Sequence, residues 1–453
     1  MAVASAAWKK DPPGPHILVS WKPLYESRRD HITPIARVIQ EYGDITLCRL
    51  GHVRFYFLNH PDYFQEILVN KHKFMRKDVY FNFLSLVLGN GLLTSEGDFH
   101  LRQRRMIQPA FHRERIRGYG ESMVRCALAL RETWRDGQDL NMATEMMGLT
   151  LAIVGKALFN SDVAVEARKV QQALEIILPM DMRYLPPLGW LMRRLPLPSN
   201  YRFKQAVREL DEILFRMIEE HRRSGDQGDL LSMLLEAQDE EDGAGMTDRQ
   251  IRDEALTLFL AGHESTALAI TWTWYLLSQH PEVEAKFHQE LDEVFQGREP
   301  TADDYARLTY TRWVLAESMR LYPPVYINGR EALEDTTLGG YTIPKGAQII
   351  YSSYVTQRDP RFFPHPERFD PERWRPEIAE KRHKFAYIPF GAGRRLCIGE
   401  PFAWMEGVLV LATLGQRWQA RLDPAHSVGL DPRITLRPRN GMPMSLHRRP
   451  GAP

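Results

Sequence analysis

The sequence is short of cysteine: Cys48, Cys126 and Cys397 are the three thiols in 453 residues. Scattered thiols of this kind supply neither a disulfide framework nor a Cys-x-x-Cys metal clamp, so each has to be explained alone. An excess of one charge is missing too. Lys plus Arg total 59 against 58 Asp plus Glu, a formal net charge of +1, which leaves no whole-molecule case for nucleic acid. Met1 to Pro15 is short and polar, without the apolar run of a signal peptide or anchor, and points to a soluble cytoplasmic protein. No Ser/Gly-rich linker or repeat divides the chain, although its length alone suggests roughly three domains. One domain over residues 1–453, a large core with insertions, is expected.

What is present reads mainly as helix, with a smaller β portion near each end. Asp44–Leu50 and Val53–Leu58 alternate around Gly51-His52 and predict a hairpin; His60-Pro-Asp62 then opens a helix to about Val69. Leu338 to Tyr351 alternates again and predicts strands. The acidic stretch Asp239–Gly245 reads as a solvated surface loop. Thr247-x-x-Gln250 matches a capping box and no proline follows until Pro281, so one helix of about 50 Å is predicted. Its middle, Ala255–Leu277, is apolar enough to imitate a membrane span. Gly262, His263 and Glu264 at its centre favour a buried core helix instead.

Chemistry concentrates at Phe390-Gly-Ala-Gly-Arg-Arg-Leu-Cys397-Ile-Gly399. Two glycines let the backbone turn tightly over something flat, and Arg394 and Arg395 favour an ionised sulfur. Helix-forming residues follow Pro401, so backbone N–H groups of a helix start lie close in sequence to the thiolate. A lone thiolate as the fifth ligand of haem iron favours O–O cleavage. Cys48 and Cys126 read as small buried hydrophobes. A nucleotide loop at Gly391-x-Gly393 lacks its third glycine. The run from Phe390 to Gly399 resembles the haem-ligand loop of the cytochrome P450 monooxygenases.

That resemblance implies a P450 fold, with haem b sandwiched between the long central helix and the helix after the cysteine loop, and Cys397 as the metal ligand. Phe390, Arg395 and Gly399 belong to the loop around the cofactor. In Ala261-Gly-His-Glu264-Ser265-Thr266, the residues Leu258, Ala261, Gly262, Ser265 and Ala269 share one helical face whose small side chains leave room for a diatomic ligand. By itself this segment also reads as an ordinary helix with one buried polar turn. The resemblance implies the family's oxygen-activating acid and alcohol: Glu264 feeding protons inward from solvent, Ser265 placing a proton donor, Thr266 beside it. The family usually carries threonine where Ser265 stands, and serine lacks the methyl that stiffens χ1. His263 reads as a packing or surface residue.

Further segments of the chain resemble the family in the same order. Glu317-Ser-Met-Arg320 looks like two members of its structural triad, completed by an arginine of a Pro-x-Arg segment; Arg368 and Arg373 are the candidates, and spacing favours Arg373. His100, Arg104, Arg330 and Arg395 match propionate-binding positions. Arg102 and Arg105 are expected to face solvent and, with Arg394 and Lys384, to form a basic patch for an acidic electron donor. Phe74, Tyr80, Phe81, Phe83, Leu84, Leu88, Leu258, Ala261, Val325, Ile327 and Met442 correspond to pocket regions and suit a fatty acid, terpenoid or carotenoid-like molecule. The greasy stretch Leu178–Leu197 is expected to be either an access lid that touches a membrane or part of the core.

Membrane-bound members carry an anchor before a proline-rich hinge, and here little precedes Pro12-Pro-Gly-Pro15. No reductase module follows the cysteine, so electrons are expected from a separate ferredoxin or flavodoxin with its reductase and NAD(P)H. A monomer is expected. The rival readings are a peroxide-driven haem-thiolate peroxygenase or isomerase, and a haem sensor or carrier without turnover.

Overall fold

The computed structural model describes residues 11–15, 32–159, 173, 194–239 and 241–451. Helix α1 (Ile32–Tyr42) precedes the hairpin β1 (Ile45–Leu50) and β2 (Val53–Leu58), then α2 (Pro61–Gln65) and β3 (Met75–Lys77). Helices α3 (Phe81–Leu88), α4 (Gly97–Ile107) and α5 (Arg113–Thr133) lead through β4 (Asp139–Asn141) to α6 (Met142–Phe159). Next come α7 (Pro198–Ser224), α8 (Leu230–Glu236), α9 (Asp248–Gln279), α10 (Pro281–Phe295) and α11 (Thr309–Leu321). Strands β5 (Asn328–Ala332), β6 (Thr336–Leu338), β7 (Tyr341–Ile343) and β8 (Gln348–Tyr351) are followed by α12 (Glu400–Gly415). Four strands close the chain: β9 (Trp418–Leu422), β10 (Gly429–Pro432), β11 (Leu436–Arg439) and β12 (Pro443–Arg448). Of the expected lid, positions 178–193 lie outside the described residues.

The residues group into two compact units. One comprises Met1–Phe81, Val325–Arg368 and Pro376–Cys397. Its five-stranded sheet has the order β1-β2-β8-β5-β3, with β2 and β8 parallel and Ile45 opposite Leu58 in the hairpin. Leu47, Tyr56, Leu58, Phe64, Ile67, Leu68 and Ile349 form a core that also takes Phe385 and Ile388 from the chain approaching Cys397. Each side chain so buried contributes about 1.5–3 kcal/mol, and this packing fixes where the cysteine loop begins.

The second unit, Asn82–Pro324, Phe369–Arg375 and Ile398–Pro453, is built around α9. Thr247 and Gln250 close the reciprocal capping box, and the helix runs 32 residues against α6, α7, α11 and α12. No helix among the described residues is long and apolar enough to cross a membrane. On α11, fully buried Glu317 accepts from Arg320 Nε (2.9 Å) and Nη2 (2.8 Å), Arg373 Nε (3.2 Å), the Asp370 N–H (3.1 Å) and Trp374 Nε1 (3.1 Å). Arg368, the other candidate, is exposed.

Near the start of α9, Glu254 is fully buried and accepts the Leu92 N–H at 2.8 Å. Burial pushes its carboxyl up to about 8, with the neighbouring Asp253 charge adding to the shift.

Two predictions follow from these buried carboxylates. Arg373→Ala leaves Glu317 short of a donor and should cost about 3–5 kcal/mol in urea unfolding, whereas Arg368→Ala should stay within about 0.5 kcal/mol; equal losses would show that Arg373 has no special place. Glu254, raised in the folded protein, keeps a proton that the unfolded chain releases above its ordinary value of 4.5. Its contribution is complete below that pH and is lost as pH climbs toward about 8. Glu254→Gln should therefore flatten the stability profile across this window, and an unaltered slope would refute the assignment.

Candidate functional site

The cysteine loop lies in the first unit. Gly391 and Gly393 adopt φ of 74° and 68°, which side chains tolerate poorly, and a Cβ on Gly393 would come 2.1 Å from the Leu68 carbonyl oxygen. The Cys397 N–H donates to Phe390 O at 2.9 Å, closing the turn that Arg394 and Arg395 line. Cys397 is exposed, Cys48 is buried with its thiol pushed up to about 12 by desolvation, and Cys126 is half-buried. Cys397 stands three residues before α12, whose N-cap is Gly399 and whose first turn contains Pro401. The loop therefore presents a single exposed sulfur.

Arg330 of β5, in the same unit, is buried and donates from Nη1 to Gly329 O at 2.7 Å. Asp78 lies beside it, and burial raises that carboxyl while Lys77, Arg330 and backbone N–H groups oppose the rise. Arg395 is half-buried. Ile327, an expected pocket residue, packs against the core cluster of Ile35, Val38, Cys48 and Phe57. Val325 is exposed, and Tyr80 meets Phe81 edge-on at 6.3 Å.

In the second unit the burial of α9 breaks at its centre. Ile251 to Thr257 and Thr266 to Trp274 are buried, yet Leu258, Gly262 and Ser265 are half-buried and Ala261 is exposed. These four positions recur every three or four residues, so the opening is one face of the helix. Ser265 Oγ donates to Ala261 O at 2.8 Å, which leaves its lone pairs available on the open side. Thr266 is buried and donates to Gly262 O at 3.3 Å. It sits on the other side, toward α12, where fully buried Glu406 has its carboxyl raised well above the usual range by desolvation; the Thr266 hydroxyl opposes only part of that rise. The alcohol facing the opening is Ser265.

Several expectations change. Glu264 does not face solvent: it is buried, and its Oε1 accepts from Arg437 Nη2 (2.6 Å), Arg437 Nε (2.8 Å) and the Thr435 hydroxyl. Neither partner was foreseen, although Thr435 and Arg437 are two apart and a strand puts such residues on one face. His263 is a buried packing residue, Nδ1 3.1 Å from Phe259 O. Arg102 and Arg105 do not supply a free basic patch. Arg102 pairs with Asp239 (3.1 Å) and Asp242 (3.2 Å), Arg105 with Asp239 (3.2 Å) and Glu241 (2.9 Å). The acidic loop is thus docked on α4 rather than simply solvated; the Glu241 N–H, aided by Arg105, holds buried Asp239 below the usual carboxylate range. Met442 is fully buried, and its carbonyl accepts the Met142 N–H at 2.9 Å, which makes it core rather than pocket lining. Phe83 and Leu84 are buried on α3, and Phe83 meets Phe203 of α7 at 6.3 Å.

These residues suit a haem. Among the described residues no three His, Cys, Asp or Glu side chains cluster as a metal cage. In the first unit the exposed Cys397 with Arg330 and Arg395, and in the second the small-residue opening on α9 with His100 and Arg104, are each of a kind that a haem with its two carboxylates would use. His100 and Arg104 lie one turn apart on α4, His100 buried and Arg104 half-buried.

Residues 11–441 match the family model described as Cytochrome P450. The chain is 41% identical over 399 residues to cyclooctatin synthase of Streptomyces melanosporofaciens, covering 87% of each chain. It is 40% identical to cyclooctat-9-en-7-ol 5-monooxygenase of the same organism, covering 84% of each. A cytochrome P450DA heme domain of known structure superposes with a TM-score of 0.86 at 27% identity over 98% of both chains. The thiol loop, the opened central helix and these likenesses agree: the chain belongs to the cytochrome P450 family and is a monooxygenase.

Proposed function

We propose that this monooxygenase inserts one oxygen atom of O₂ into a cyclic terpenoid, by hydroxylation or epoxidation. Haem b, when bound, supplies the activation of O₂, and the thiolate of Cys397 tunes it. The observation that carries the reading is the opening at Ala261 and Ser265 in the middle of a largely buried helix. Its small residues would admit O₂ beside an apolar substrate, and Phe390 and Gly399 would shape the loop that holds the cofactor. His100, Arg104, Arg330 and Arg395 offset the two carboxylates of the macrocycle. Support for a terpenoid comes from the relatives, one of which is named for oxidising cyclooctat-9-en-7-ol, and from the apolar, half-buried Leu258 on the open face of α9.

Ser265 holds a hydroxyl on the open face and can exchange its bond to Ala261 O for one to a water there. Glu264 acts from behind the face, with Arg437 and Thr435 setting its carboxylate's position. Thr266, turned toward Glu406, keeps the helix packed. Electrons come from a separate ferredoxin or flavodoxin with its reductase and NAD(P)H. Exposed Arg394 and Lys384 are the basic residues that remain for docking it.

Incubation of the haem-loaded protein with a ferredoxin, its reductase, NADPH and isotopically labelled O₂ should convert a cyclic terpene alcohol to a product carrying one labelled atom. Product formed with hydrogen peroxide alone, and none with the electron-transfer chain, would favour the peroxygenase. Ser265→Ala should divert a larger share of NADPH electrons to peroxide; the same share as wild type would remove Ser265 from proton handling.

A further inference from the structure

Glu264 is held by a segment that α9 itself holds a second time. The Glu264 Oε1 accepts from Thr435 and Arg437, the two residues that flank Leu436. Leu436 is fully buried, and both of its backbone groups reach beyond the two-stranded ribbon of β10 and β11. Its N–H donates to the Pro324 carbonyl at 2.9 Å, and its carbonyl accepts from Trp272 Nε1 at 2.9 Å. Residues one before and one after a given strand position share a face, so fixing Leu436 fixes where Thr435 and Arg437 point. A two-stranded ribbon is marginal by itself, which makes these outside bonds matter.

Trp272 follows Glu264 on the same helix, about 12 Å further along its axis. The two side chains thus take hold of one short segment at two points from one rigid element. Trp272 is fully buried and stacks flat on Tyr322, with ring centroids 4.1 Å apart and planes 7° apart, which keeps the indole N–H on its acceptor. Trp274, also buried, is placed otherwise. It meets Trp134 edge-on at 6.5 Å, and its N–H has no acceptor among the described residues.

We infer that Trp272 is a positioning residue for Glu264: by fixing the Leu436 carbonyl, its indole N–H sets Thr435 and Arg437, and through them the direction in which the Glu264 carboxylate faces. The inference rests on the reading of Glu264 as the carboxylate that serves the open face of α9 from behind.

The test compares Trp272→Phe with Trp274→Phe in haem-loaded protein supplied with ferredoxin, its reductase, NADPH and a cyclic terpene alcohol that it oxidises. Both changes remove the same core volume, and a phenyl ring at 272 can still stack on Tyr322, so a purely structural loss is common to the two. Trp272→Phe should slow substrate-dependent NADPH oxidation about fivefold, the factor carried by one hydrogen bond, while Trp274→Phe stays within about twofold of wild type. Added to Glu264→Gln, Trp272→Phe should cause no further loss, because it acts through that carboxylate. Equal losses in the two tryptophan variants, or a double variant in which the losses multiply, would overturn the assignment. Hydrogen exchange separates this from failure of the Glu264 reading. In Trp272→Phe, and not in Trp274→Phe, the Leu436 and Arg437 amides should exchange about fivefold faster, whatever Glu264→Gln does to turnover. Unchanged exchange at Leu436 would show that Trp272 does not hold the segment. Wild-type turnover in Glu264→Gln, with Leu436 still loosened in Trp272→Phe, would count against the role of Glu264 alone.

Discussion

One buried carboxylate organises the second unit. Glu317 has no access to water, so its charge is tolerable only while every lone-pair direction finds a donor. Arg320 supplies two N–H groups from one turn further along α11, and Arg373, Trp374 and the Asp370 backbone arrive from the segment that later leads to the cysteine loop. Local helix geometry alone makes the first pair, while the remaining donors require the chain to return from more than fifty residues away. The carboxylate thus acts as a test of correct tertiary closure.

The same contrast between near and distant partners explains what could be read from sequence. The capping box at Thr247 and Gln250, the hairpin around Gly51 and the open face through Leu258, Ala261 and Ser265 depend on residues a few positions apart, and periodicity reveals them. The partners of Glu264 stand 171 and 173 positions away on another element, where no local pattern announces them. Arg102 and Arg105 failed for a related reason. On a helical wheel they belong to a solvent face, and only the fold brings Asp239 and its neighbours onto it. Met442 was misplaced because an apolar residue after a turn looks alike whether it lines a cavity or fills a core.

Burial and exposure along α9 also separate three hydroxyl and carboxyl roles that the motif runs together. Ser265 faces the opening, Glu264 turns to β11, and Thr266 turns to α12 and Glu406. A serine in place of threonine then matters less for packing, since its neighbour fills the packed side, and more for the freedom of its own rotamer. Polar groups held by strong partners on one side, and a hydroxyl bonded to its own helix on the other, suit a site that must exclude bulk water while still passing protons.

The central claim is that Cys397 holds a haem iron through a thiolate. Reduced protein under carbon monoxide reads this directly, because thiolate ligation would shift the haem absorption strongly to the red. Wild-type protein should show the red-shifted band and Cys397→Ala should lose it while Cys48→Ala and Cys126→Ala keep it. Retention of that band in Cys397→Ala would contradict the account.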